Sequence, residues 1–270
     1  MPTSKGIDEK ERGMKRIVAS ILVLGVMAAL GAGCGGAGSA SSNSSSSSSS
    51  AKGGNTTSAA AYSPHINPTN FTTTIDNKYF PLKPGTTFVY QGKKQGATMR
   101  DVMAVTHDTK QIMGVKTVVV NDRVWENGNL SEQTYDWYAQ DKRGNVWYFG
   151  ENSKEFKNGK VSSTGGSWTA GKTGAKPGVI MQAQPKVGET YRQEYYKGEA
   201  EDMAKVLDLN GSTKVPYGSF NHVLVTNEWT PLEKGVAEHK YYAPGVGNVK
   251  EAATKGPPET LELVNVKSTG

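Results

Sequence analysis

The stretch Asp136–Phe149, DWYAQDKRGNVWYF, is met again about a hundred residues later in His239–Lys250, HKYYAPGVGNVK. Both run aromatic-Tyr-Ala, a short polar loop, then Gly-Asn-Val. A Trp stands thirteen residues ahead of the Tyr each time, Trp125 before Tyr138 and Trp229 before Tyr242. Upstream, Pro81–Phe88 (PLKPGTTF) faces Pro185–Tyr191 (PKVGETY), and the offset at each anchor is 103 or 104 residues. A chain that repeats its turn and strand signals in this order must form two similar sets of hairpins. The expectation is one domain over 62–270 built on a duplicated β-meander, copy one about 79–150 and copy two about 185–253.

The local signals are those of strands. Pro84-Gly85 suits a type II turn, because Pro presets φ and Gly accepts a positive one. It introduces Thr86–Gly92, where Phe88 and Tyr90 share a face by the two-residue period. Met99–Thr106 and Val115–Glu126 follow, then Asn127-Gly128, a strong hairpin turn, and Leu130–Gln140. Gly144-Asn145 turns the chain into Val146–Gly150, and Asn158-Gly159 separates two further short runs. A Gly-rich insertion, about 160–184, lies between the copies. Copy two reads as Thr190–Tyr196, Met203–Leu209, Phe220–Trp229, Glu238–Ala243 and Asn248–Ala252, with Thr260–Lys267 closing the chain. One short helix is expected at Glu199–Leu207, overlapping the second of these, because acids crowd its first turn. Tyr62–Lys78 is expected to lie extended on the surface, pinned by Phe71 and Ile75. The fold class is mainly β: a curved antiparallel sheet, half-barrel or sandwich-like, of about 10–12 strands with that one helix.

Both faces of the repeated strand carry rings, Trp137 or Tyr241 on one side and Tyr138 or Tyr242 on the other. An antiparallel sheet normally buries one face and wets the other. The second face needs a cover: the sheet curling over, the insertion and helix, or a ligand. Trp137, Tyr138, Trp147, Tyr241 and Tyr242 are therefore the candidate ligand-binding residues. The competing reading makes most of these rings ordinary core, since buried aromatics supply much of a core's energy.

The start of the chain is of another kind. Lys15-Arg16 precede a fourteen-residue apolar run, Ile17–Leu30, and small residues follow. Such a run rises about 21 Å as a helix, short of the ~30 Å hydrocarbon core. Residues 1–33 read as an export signal, with translation starting at Met1 or at Met14. Cys34 is the sole cysteine, so no internal disulfide, Cys-based zinc site or thiol nucleophile is available. Residues 34–61 are a Ser/Gly-rich tether that would span about 30 Å as a flexible coil. Without residues 1–33 the chain keeps 26 Lys and Arg against 22 Asp and Glu, with no clustered basic stripe, so no nucleic-acid partner is expected.

Chemical motifs are few. Gly166–Thr173 (GSWTAGKT) fits the phosphate-loop pattern, but the Gly-Ala-Lys-Pro-Gly after it cannot start the helix that loop requires. His65, His107, His222 and His239 show no metal-ligand spacing, and no G-x-S-x-G elbow is present. Glu199, Glu201 and Asp202 lack calcium-loop spacing. No metal or cofactor is expected.

A lone Cys directly after an export signal resembles the lipobox of bacterial lipoproteins, in which that thiol is acylated. Leu30 stands one place further from the Cys than usual, with Gly31 in its place. The alternative is an ordinary signal cut near Ala40. Lys78–Tyr90, Asp136–Gly150 and Lys240–Gly247 together resemble a family of secreted bacterial lipoproteins with no assigned activity, over about residues 68–266. The fold is also loosely similar to the half-barrels of lipoprotein carriers. These likenesses imply lipidation at Cys34, a membrane partner through that anchor, and an extracytoplasmic location. They carry no catalytic residues.

Three functions stay open. The first is a non-enzymatic, monomeric envelope lipoprotein whose groove takes a lipid or other apolar ligand, a glycan or an envelope protein. The second is an extracellular hydrolase of envelope polymers using two carboxylates. The third is a purely structural or inhibitor-type interaction module.

Overall fold

The computed structural model describes residues 62–269. The expected export signal 1–33, the lipidation site Cys34 and the tether to residue 61 lie outside the described residues.

A 3-10 turn at Pro68–Asn70 leads into β1 (Phe71–Thr72), and a long meander follows: β2 (Thr86–Lys94), β3 (Ala97–Ile112), β4 (Val115–Glu126), β5 (Asn129–Asp141) and β6 (Val146–Lys157). Five short strands come next: β7 (Lys160–Ser163), β8 (Trp168–Thr169), β9 (Lys176–Met181), β10 (Thr190–Arg192) and β11 (Glu194–Tyr195). A second meander ends the chain: β12 (Met203–Val215), β13 (Gly218–Trp229), β14 (Ala237–Ala243), β15 (Gly247–Lys255) and β16 (Glu259–Ser268). The hairpin chemistry is as the sequence demands. Asn127 and Gly128 take φ of 49° and 80°, and Asn158 and Gly159 take 53° and 72°. These are the left-handed pairs that match strand twist. Gln95-Gly96 and Met113-Gly114 make two more turns of this kind.

All pairings are antiparallel, in the order β10-β12-β13-β14-β15-β16-β2-β3-β4-β5-β6-β9-β11. The two ends of this path are neighbours in the chain, since only Gln193 separates β10 from β11. The sheet therefore comes almost full circle as a nearly closed barrel. Gly178 makes the last approach possible: a Cβ there would lie 2.2 Å from the carbonyl oxygen of Gln193. Between the two meanders, at an offset of 103 residues, the bounds of β4 match those of β13, whereas β5 and β14, of 13 and 7 residues, do not match. The β3–β4 turn falls between Ile112 and Val115, the β12–β13 turn between Val215 and Gly218, 103 residues on. Their cross-strand partners do not agree: Tyr138 lies opposite Val118 and Tyr148, whereas Tyr242 lies opposite Leu224 and Asn248.

One expectation is corrected. Glu199–Leu207 is not a helix: a turn ends at Ala200, and β12 begins at Met203 opposite Trp229. Ala200, Ala204 and Val206 are fully buried on one face, a period of two that tertiary pairing imposes over local helix preference. The lead-in is held by both residues expected to pin it: Phe71 packs edge-on against Trp147 and Phe149, and Ile75 is buried. Tyr79 and Leu82, just after it, are buried too, and the segment folds over the end of the sheet where two hairpin turns lie. Asn77 Nδ2 donates to the Gly144 carbonyl at 2.8 Å, and the Gly245 amide donates to the Lys78 carbonyl at 2.7 Å. The Gln140 side-chain oxygen accepts from the amides of Asp76 and Asn77 at 3.0 and 2.9 Å.

Gly166–Thr173 forms strand β8 and a turn, with Thr173 at φ 49° and no helix after it among the described residues.

Candidate functional site in the barrel lumen

Alternation along each strand decides what enters the barrel. In β4, Val118, Val120, Asp122 and Val124 share the inner face, and Asp122 stands opposite Met103 and Thr134. In β5 the inner set is Glu132, Thr134, Asp136, Tyr138 and Gln140. The same parity brings Asp101, Glu151, Glu228, Glu238, Lys240 and Glu251 inside, all at most 8% exposed. Among the described buried residues, ten carboxylic acids thus accompany two cations, Lys94 and Lys240. Burying an isolated charge costs far more than a fold can spare, so these groups must pair, bond or take up protons.

Lys240 solves the problem for β13–β15. Its Nζ lies 3.2 Å from Glu238, 3.4 Å from Glu228 and 3.9 Å from Glu251. Burial alone would lower its pKa, but Glu238, Glu251 and Glu228 together lift it well above the usual lysine range. One ammonium cannot hold three buried anions. Glu238 is accordingly pushed far up by burial, while burial sets Glu251 at about 7. Glu228 Oε1 accepts from Tyr242 at 2.9 Å and from Thr226 at 2.7 Å. Asn248 donates to Glu251.

The β3–β6 side has no such cation. Burial, then the charge of Asp122, raises Asp101 well above the carboxylate range, and burial raises Asp122 too. Neither oxygen of Asp101 meets a donor, nor does Oδ1 of Asp122, so a proton shared between the two is the one remaining bond for them. Burial holds Glu132 at about 8, against hydroxyl bonds from Thr134 and Ser153 at 3.0 and 3.2 Å. The Tyr148 hydroxyl stands 2.7 Å from Asp136 and 2.9 Å from Glu151. It has one proton to give, so one of those carboxyls must bring its own for both contacts to be hydrogen bonds. Near the closing seam, Trp168 Nε1 donates to Glu194 at 2.8 Å. Burial drives Glu194 well up and sets the adjacent Asp202 at about 7, and a proton on Glu194 serves Asp202.

Two chambers of about 50 Å³ each remain in this interior, meeting at Ile180 and Lys240. Each has room for roughly four waters at ~10–15 Å³ apiece. One is acidic, with Glu194, Asp202, Glu228 and Glu238 on its wall. The other is aromatic: Phe80, Phe88, Tyr90, Tyr138 and Tyr242 line it together with Asp122 and Asp136.

Of the candidate residues, Tyr138 and Tyr242 come together. They flank Phe80, with ring centroids 5.5 and 6.5 Å from it, and Tyr138 stacks on Tyr148 at 4.7 Å. Trp137, Trp147 and Tyr241 face outward. Trp137 is covered by the Lys110 ammonium, 3.2 Å from its ring centroid. Trp147 donates to Asp141 at 3.0 Å, and Tyr241 stands between Val225 and Lys250. No open groove collects the five. His222 and His239 stay apart: the first bonds Asn210 at 3.2 Å, and the second lies opposite Asn227. Among the described residues no three His, Cys, Asp or Glu converge as metal ligands. The carboxyls went unseen in the sequence, although strand parity alone assigns Asp101 and Asp122 to the faces of Met103 and Val120.

Outside the barrel, a groove of about 440 Å³ is lined by Gln91, Arg100 and Trp125. The guanidiniums of Arg100 and Arg123 lie 5.1 and 5.4 Å from the Trp125 ring.

No protein-family model and no curated protein matches the chain. Among solved structures it is similar to one from Bacteroides fragilis described as an exported protein with a YmcC-like fold: 16% identity, TM-score 0.43, covering 71% of this chain and 99% of that one. Another, from Parabacteroides distasonis and described as a lipoprotein, is 13% identical with TM-score 0.38 and the same coverage.

Proposed function

We propose that this chain is a non-enzymatic, monomeric lipoprotein of the cell envelope, anchored through Cys34, whose barrel holds a small polar guest in its aromatic chamber. The carrying observation is the meeting of Tyr138 and Tyr242 across Phe80, over a wall that includes an Asp122 oxygen with no donor. The chamber argues for a guest smaller than the lipid or glycan ligand expected at first. Pockets for drug-sized molecules run about 300–1,000 Å³, against the 50 Å³ here. Native mass spectrometry of the full chain in detergent tests this. The expected result is a small-molecule adduct that disappears in Asp122→Asn; the bare protein mass from a folded sample would overturn it. Incorporation of labelled fatty acid that is abolished by Cys34→Ser tests the anchor.

The hydrolase reading is less well supported. Facing carboxyls exist, Asp101 with Asp122 and Glu194 with Asp202, but they are buried in spaces that admit no polymer. The interaction-module reading has one observation in its favour, the outer groove in which two guanidiniums flank Trp125. A Trp125→Ala chain that loses a crosslinked envelope partner would support it. The matched bounds of β4 and β13 support descent of both meanders from one duplicated segment.

A further inference from the structure

The two halves of the lumen differ by one residue type at matched sequence places. In D-W-Y-A the residue two before Tyr138 is Asp136; in K-Y-Y-A the residue two before Tyr242 is Lys240. Copy two carries its own ammonium among its acids, with Nζ engaged by three glutamates. Copy one places a further carboxyl there instead. Asp122, 5% exposed, lines the aromatic chamber and its Oδ1 meets no donor, and Asp101 has none on either oxygen. Among the described residues the carboxyls do not converge as metal ligands; the wall also carries the rings of Phe80, Phe88, Tyr90, Tyr138 and Tyr242, whose faces attract cations, along with aliphatic side chains and Lys240.

We propose that the aromatic chamber binds a primary ammonium group, held by Asp122 and Asp136 and faced by the rings of Phe80, Tyr138 and Tyr242. The inference rests on the chamber reading above and adds the chemical class of the guest. The guest does in the first half of the barrel what Lys240 does in the second. An ammonium fits about 50 Å³, brings three donors that the carboxyls of Asp122 and Asp136 can accept, and displaces the proton that Asp101 and Asp122 share. The charged groups that set this exchange are Asp101, Asp122, Glu132, Asp136 and Glu151, with Lys240 opposing from β14.

The test is calorimetric titration of the full chain in detergent with methylammonium chloride, in two buffers of different ionisation heat. The expected result is saturable binding with proton release, no saturable heat from tetramethylammonium, and a Kd raised about tenfold or more in Asp122→Asn. The two-buffer comparison uses the unaltered chain, so it stands whether or not the variant folds. Binding without proton release, or a neutral adduct in native mass spectrometry, overturns the cation class and leaves the chamber reading standing. A folded chain that gives neither heat nor adduct overturns both.

Discussion

Replacing Lys240 by Met keeps the length and bulk of the side chain while deleting the charge that three glutamates surround at 3.2–3.9 Å. Removing one partner of a buried ion pair costs about 3–5 kcal/mol, because the other charge is left without compensation. In a domain of this size each kcal/mol lowers Tm by about 2–4 °C, so a fall of roughly 6–20 °C is expected at pH 8. The pH dependence separates this effect from lost packing. At pH 5 Glu251, at about 7, is protonated in the folded chain and burial pushes Glu238 the same way, so the missing ammonium strands less charge than at pH 8. At pH 8 the variant must ionise Glu251 without a partner or bind a proton that the parent releases. Its folded state then holds the extra proton, and its deficit grows as pH rises. Urea unfolding followed by tryptophan fluorescence at both pH values, with unchanged m, measures this directly. An equal loss at pH 5 and pH 8 would refute the ion-cluster argument and reduce Lys240 to a space-filling residue.

The unaltered chain should be more stable at pH 5 than at pH 8. Glu132 at about 8, and Asp202, Glu251 and Glu259 at about 7, have folded values above their unfolded ones, so the native state binds more protons between about pH 4 and 8. A Tm that climbs from pH 5 to pH 8 would contradict this. Tyr242→Phe removes the 2.9 Å bond to Glu228 and should cost about 1–3 kcal/mol in urea unfolding with the fold retained by circular dichroism. Gly178→Ala sets a methyl 2.2 Å from the Gln193 carbonyl and should loosen the closing seam, costing about 1–3 kcal/mol and raising amide exchange in β9 and β11; unchanged exchange would remove Gly178 from that role.

The sheet was legible because turn chemistry is local. Val115–Glu126 matches β4 to the residue, and Asn127-Gly128 and Asn158-Gly159 turn where they should. The long runs of β3 and β12 past Thr106 and Leu209 were not, since residues such as His107-Asp108 and Asn210-Gly211 look like loop until a partner strand holds them. Glu199–Leu207 misled because its side chains favour a helix locally, while its place opposite Trp229 is set by a strand far along the chain. The ring residues were found, but their surroundings were not. Nothing in a composition of near-balanced charge says that so many acids go inside, and nothing local says that Phe80, next to Pro81, separates Tyr138 from Tyr242.

The place of β2 has a consequence for how the molecule is made. It is hydrogen-bonded on one side to β3, its immediate successor, and on the other to β16, so that Thr86 pairs with Ser268. A polypeptide synthesised from its amino end therefore carries a bare strand margin until nearly its whole length has been made. An exposed margin of this kind is a template for pairing with other chains. Long-range pairings also form slowly. Loss of the ten residues of β16, Glu259–Ser268, would leave both β2 and β15 unzipped and turn a self-contained ring into a sticky ribbon.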